Sequence, residues 1–259
     1  MNSLGVTKLG QGPDLVFLHG WGFDSRVWQP VAEALSDSFS VRCIDLPGYG
    51  ASRDAPITSF DESVAAVLKQ IPAGATLVGW SLGGMVALAC ARREPARLGG
   101  LVLVATTPSF VRRDGWTQGM PPLMLGGFKV ALRADLLGLL QHFAGLMNHG
   151  DQNARDLTRL FKLLGKTDEP IDEALLLGLD WLRDIDLRDA LPAIATPTLL
   201  IHGDADPLMP IDAAQAMAEA LPQARLETFP GVAHVPFFGD PARFVQCLRD
   251  FARSPAPAC

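Results

Sequence analysis

Three residues carry the types and surroundings needed for covalent chemistry: Ser81, Asp206 and His234. Ser81 is the centre of Gly79-Trp80-Ser81-Leu82-Gly83, a Gly-x-Ser-x-Gly pentapeptide between the apolar run Thr76-Leu77-Val78 and a helical pattern that extends to about Arg93. In a strand-to-helix elbow of this kind the serine projects its hydroxyl above a sheet, and the flanking glycines let strand and helix approach closely. A serine hydroxyl is a weak nucleophile at neutral pH, so it needs a base within hydrogen-bond reach and an acid that orients the base. His234, in Pro230-Gly231-Val232-Ala233-His234, and Asp206, after Ile201-His202-Gly203-Asp204-Ala205, each follow an apolar run and supply those parts. The chemistry is acyl transfer from an ester-type bond, with no metal or organic cofactor. Its oxyanion needs two backbone N–H donors: Leu82, after the nucleophile, and Trp21, in the turn His19-Gly20-Trp21-Gly22.

Other candidates have simpler readings. Asp204 is an alternative acid. His202 ends a strand and reads as structural, His19 as a loop former, and His142 and His149 as partly exposed residues of a helical stretch. Gly20-Trp21-Gly22 lacks the third glycine of a dinucleotide fingerprint, which argues against a nucleotide site. Cys43, Cys90, Cys247 and Cys259 are widely spaced, with neither a Cys-x-x-Cys pair nor a nearby histidine, so they read as buried or terminal thiols rather than metal ligands.

These groups must be held by a scaffold, and the chain provides one. Apolar runs at 15–18, 41–44, 76–78, 101–105, 198–201 and 225–229 alternate with helical patterns at 25–35, 59–71, 82–93, 211–221 and 241–252, as a parallel sheet with crossover helices requires. Near-continuous apolarity predicts strands covered on both faces. Ser59 and Glu62 have capping-box spacing. From about Ser109 to Leu187 the alternation stops, and amphipathic helices punctuated by Gly126-Gly127, Gly150 and Gly165 predict a helical lid inserted in one domain spanning 1–259, its core at about 1–108 and 188–253. The tail after Arg253 is expected to fray. With 259 residues, 48% of them hydrophobic, the chain can bury one sizeable core, and its net charge of −6 argues against nucleic acid or an anionic membrane as partner. No segment reaches the length of a membrane span or a signal peptide, so a cytoplasmic monomer is expected.

The order Ser, Asp, His is that of α/β-hydrolases. The Asp-x-x-x-Pro spacing from Asp206 to Pro210 resembles the acid loop of that fold, which Asp204 does not. Beyond the fold, His19-Gly20-Trp21-Gly22 with Val27-Trp28, Asp45-Leu46-Pro47-Gly48-Tyr49-Gly50-x-Ser52, and Gly79-Trp80-Ser81-Leu82-Gly83-Gly84 resemble the pimeloyl-acyl-carrier-protein methyl ester esterases of biotin synthesis, over nearly the whole chain. Trp21 and Trp80 are the discriminating residues.

The resemblance implies cleavage of the methyl ester of a pimeloyl chain on acyl carrier protein, releasing methanol. It implies that Trp21 and Phe143 touch the acyl chain and that Arg155 and Arg159 bind the acidic carrier. Spacing agrees locally: Arg155, Arg159, Lys162 and Lys166 line one face of a helix whose other face carries Leu157, Leu160, Phe161 and Leu164, and 110–166 holds eight Lys or Arg against four Asp. Two family positions that are basic correspond to Gly138 and His142, which predicts docking that is either weaker or shifted toward Lys129 and Arg133. A short-chain esterase acting on free acyl esters shares every motif, as do carbon–carbon bond hydrolases. A receptor with slow or vestigial chemistry is a further alternative, which fluorophosphonate labelling of Ser81 distinguishes.

Overall fold

The computed structural model describes residues 4–56, 59–164 and 173–253. Gly165, Lys166, Cys259 and the tail after Arg253 lie outside them. A seven-stranded sheet organises the described chain: β1 (Val6–Leu9), β2 (Asp14–Leu18), β3 (Ser40–Ile44), β4 (Ala75–Trp80), β5 (Leu98–Val104), β6 (Thr198–Gly203) and β7 (Ala224–Phe229), in the order β1-β3-β2-β4-β5-β6-β7. Only β1 runs antiparallel, against β3. Every other neighbouring pair is parallel.

Burial follows position in the sheet. β4 and β6 are buried throughout, as strands covered on both faces must be. The expectation of two-sided cover fails at β7, where Arg225 is exposed and only Phe229 is fully buried, because β7 is an edge and needs one covered face. The short edge strand β1, with Thr7 and Lys8 exposed, has no apolar run and gave no sequence signal.

The flanking helices are α1 (Gln29–Leu35), α2 (Phe60–Leu68), α3 (Leu82–Arg93), α8 (Ile211–Ala220), the short α9 (Pro236–Gly239) and α10 (Pro241–Arg253). Ser59 caps α2 by accepting the Glu62 N–H, so the capping-box spacing sets its start, while the helix ends three residues before Ile71. α10 opens on a proline and buries Phe244 and Leu248 on its inner stripe.

Between β5 and β6 lie α4 (Pro122–Ala134), α5 (Leu136–Met147), α6 (Ala154–Leu164) and α7 (Glu173–Asp184). Gly126 and Gly127 do not break a helix, as their sequence suggests; both lie inside α4, facing open space, and the burial of Leu125, Phe128 and Leu132 outweighs the roughly 1 kcal/mol that each glycine costs. Gly150, at φ +90°, does mark the turn between α5 and α6. α5 packs on α6, and α4 on α7. Among the described residues no helix is long and apolar enough to cross a membrane.

Candidate active site

Ser81 joins the carboxyl end of β4 to α3 with φ 54° and ψ −118°, a region that costs a non-glycine residue about 1–3 kcal/mol. The surroundings over-determine it. The Ser81 N–H donates to the Val104 carbonyl on β5 at 3.0 Å, and the Ser81 carbonyl accepts the Thr106 hydroxyl at 2.7 Å. Glycine is required on both sides by close approach: a Cβ on Gly79 would stand 2.4 Å from the Gly83 carbonyl oxygen, and one on Gly83 would stand 2.4 Å from that of His19.

The candidate base His234 and candidate acid Asp206 arrive on loops after β7 and β6. His234 Nδ1 lies 2.8 Å from Asp206 Oδ2, with both side chains buried. Asp206 Oδ1 accepts the N–H groups of Leu208 and Met209 at 2.9 and 3.0 Å. With two backbone N–H groups already donating to it, Asp206 serves as an acceptor, which assigns the shared proton to His234 Nδ1 and leaves Nε2 with a free lone pair. Nε2 is buried and has no hydrogen-bond partner among the described residues. Leaving a buried polar atom unpaired costs about 1–3 kcal/mol, which a serine hydroxyl or a leaving oxygen relieves on approach.

The competing residues are engaged elsewhere. Asp204 accepts the Gly231 N–H at 2.7 Å, tying the two loops together rather than orienting the imidazole. His202 Nε2 meets the Met209 carbonyl at 2.6 Å, and burial pushes this imidazole below its ordinary pKa of 6.5. His19 accepts the Leu46 N–H on Nε2 and turns Nδ1 to the Gly20 carbonyl, so it is a neutral loop brace whose pKa burial also lowers. The Asp45-to-Ser52 motif frames the same loop: Asp45 accepts the Ser25 and Ala51 N–H groups, and the Ser52 hydroxyl donates to the Asp45 carbonyl. Burial raises the Cys43 thiol to about 12 and drives Cys90 higher still, so both stay protonated and inert.

Above Ser81, α4 to α7 close an aromatic cluster. Phe143 meets Trp21 edge-on at 5.1 Å, Trp21 stacks on Phe128 at 6.5 Å, and Phe23 bridges Phe143 to Trp80, the residue before Ser81. The Trp21 indole N–H donates to the Leu175 carbonyl on α7, fixing the residue whose backbone was predicted as an oxyanion donor. No acceptor engages the Trp21 or Leu82 backbone N–H among the described residues.

Sequence reasoning missed how the His234 loop is held. The Trp80 indole N–H donates to the His234 carbonyl at 2.9 Å, and the His234 N–H to the Met147 carbonyl at 3.2 Å. Asp151, buried in the turn between α5 and α6, accepts the Ala233 N–H at 2.8 Å. These partners lie 82 to 154 residues away along the chain, and no local pattern reports them.

On the outer surface, Arg155, Arg159 and Lys162 are exposed along α6, above buried Leu157 and Phe161, and no carboxylate among the described residues pairs with them. They line an open groove with His142 and His149, both exposed. Gly138 donates its N–H to Asp135, the cap of α5, and presents no side chain to the groove. Of the two residues toward which docking was expected to shift, Lys129 is ion-paired with Asp180 on α7, and Arg133 is exposed.

The alpha/beta hydrolase family model matches residues 15–247. The chain is similar to the pimeloyl-[acyl-carrier protein] methyl ester esterase of Nitrosomonas europaea, 42% identical over 96% of this chain and 99% of that one. It is also similar to the protein of the same name from Vibrio parahaemolyticus, 39% identical over 95% and 96%. Among solved structures it resembles an esterase from Exiguobacterium antarcticum, with a TM-score of 0.88, 28% identity, and 97% and 96% of the two chains covered.

Proposed function

This chain belongs to the alpha/beta hydrolase family and, within it, to the pimeloyl-[acyl-carrier protein] methyl ester esterases, and from that premise we propose that it hydrolyses the methyl ester of a pimeloyl chain on acyl carrier protein, in biotin synthesis. The observation that carries the reading is the buried Asp206–His234 pair, with an unpaired Nε2 and its imidazole 5.7 Å from the ring of Trp80, the residue before the elbow serine. Nε2 takes the Ser81 proton as the oxygen attacks the ester carbonyl. The tetrahedral oxyanion is held by the N–H groups of Leu82 and Trp21. His234 then gives its proton to departing methanol, and the same imidazole activates water to clear the acyl-enzyme.

In this proposal the helical segment 109–187 is a lid on one domain, and Trp21 and Phe143 bound an apolar slot for the acyl chain. The unpaired Arg155 and Arg159 supply a cationic surface for an acidic carrier in the cytoplasm, with Lys162 beside them. Exposed charges of this kind act mainly on association, and salt screens them.

The test compares kcat/KM on pimeloyl-carrier methyl ester and on free methyl pimelate, for wild type and for the double variant Arg155→Glu, Arg159→Glu. The expected result is a preference for the carrier-bound ester that the double variant removes, with the free-ester rate unchanged. Equal rates on both esters in wild type identify a general short-chain esterase instead.

A further inference from the structure

We propose that Asp151 is a positioning residue for the base, an inference that rests on reading His234 in that role. The loop 230–235 makes few bonds within itself and takes its place from three outside elements. The loop after β6 contributes Asp204, on the Gly231 N–H, and the Ala205 N–H, on the Val232 carbonyl. β4 contributes the Trp80 indole, on the His234 carbonyl. The turn between α5 and α6 contributes the rest: the Met147 carbonyl receives the His234 N–H, the Gln152 N–H donates to the Gly231 carbonyl, and Asp151 Oδ2 receives the Ala233 N–H.

Asp151 is the charged member of that turn's contribution. It is buried, and its second oxygen accepts the Asn153 N–H at 2.7 Å, so one carboxylate spans the turn and the residue before the imidazole. Charge-assisted bonds of this type are about twice as strong as neutral ones. Without the carboxylate the Ala233 N–H is left buried without an acceptor, and the loop must relax to hydrate it. The imidazole is anchored to Asp206 through Nδ1, so a shift of the backbone on which it pivots moves Nε2 relative to Ser81. Misplacing a catalytic group by about 1 Å can cost 10²-fold in rate.

The test measures kcat and KM on p-nitrophenyl butyrate for Asp151→Ala, Asp151→Asn and Asn153→Ala, per site titrated with a fluorophosphonate, and for Ser81→Ala and His234→Ala per mole of folded protein. Asp151→Ala is expected to lower kcat about 10- to 100-fold with KM within about twofold, because binding surfaces are untouched while the base is displaced. Asp151→Asn keeps one acceptor oxygen and should fall between wild type and Ala. Asn153→Ala removes a side-chain contact to the Gly239 carbonyl without touching the His234 loop, so it should lower Tm and leave kcat unchanged. A kcat within twofold of wild type in Asp151→Ala, or in Asp151→Asn where the Ala variant does not fold, overturns the inference while Ser81→Ala and His234→Ala remain inactive. Turnover surviving in either of those two overturns the reading of the site, and this inference with it.

Discussion

The elbow at Ser81 and the turn at Asp151 hold opposite halves of the proposed mechanism, and they are built by different means. The elbow is compact: six consecutive residues, two glycines whose Cβ atoms would strike backbone, and the adjoining ends of β2, β4 and β5 fix Ser81 within the sheet. The turn is remote. It reaches the His234 loop through single hydrogen bonds between residues far apart in the chain, such as Asp151 and Ala233, from a helical segment with no strand to register it. Steric exclusion makes the nucleophile's position nearly all-or-none, whereas the base's position is a sum of separate bonds, each removable at moderate cost.

That contrast can be broken at its centre. Asp206→Asn leaves the loop's shape intact but presents an amide to His234 Nδ1, which favours the wrong tautomer, and kcat should drop about 10⁴-fold with the fold unchanged. Steady-state kinetics beside far-UV circular dichroism checks this; a loss under tenfold means another group orients the imidazole. On the elbow side, Gly83→Ala forces a Cβ against the His19 carbonyl, and a loss of about 3 kcal/mol or more is expected, within the range of severe backbone strain. Urea titration measures it, and a variant as stable as wild type shows that the elbow is less over-determined than argued.

A smaller effect sharpens the comparison. Trp80→Phe keeps the aromatic packing against Phe237 and Phe23 but loses the bond to the His234 carbonyl, and one such bond is worth about 1 kcal/mol, so kcat should fall roughly tenfold or less. A further effect, on stability rather than turnover, concerns the loops' neutral histidines. Burial holds His202 and His19 below their ordinary pKa of 6.5, so the unfolded chain binds protons that the folded one refuses. Stability is therefore full above pH 6.5 and declines as pH falls below it, by up to about 1.4 kcal/mol per pH unit for each group. Tm measured between pH 7.5 and 5 should show a shallower decline in His202→Gln than in wild type; equal slopes remove His202 from the account.

What could be read in the sequence follows the same division. Ser81 was legible because its pentapeptide is a local steric requirement, and Asp206 and His234 because each follows an apolar strand. Asp151, and the Trp80 tie to the His234 carbonyl, were not, since a lone aspartate in a helical turn has no pattern that distinguishes a buried acceptor from a solvated one. The same limit hid β1, whose Thr7 and Lys8 face water as an edge allows, and it misread Gly126-Gly127, where tertiary burial of the opposite face overrides helix propensity. Lys129 was legible as a charge but not as a partner of Asp180, fifty-one residues on.

The central claim, that Ser81 is acylated by the ester its base helps to cleave, is tested most directly by rapid acid quench of the enzyme mixed with pimeloyl-carrier methyl ester, followed by peptide mass spectrometry and methanol assay. The account predicts an acyl adduct on the Ser81 peptide, one methanol released per adduct in the first turnover, and neither in Ser81→Ala. Methanol released by Ser81→Ala at the wild-type rate would contradict it.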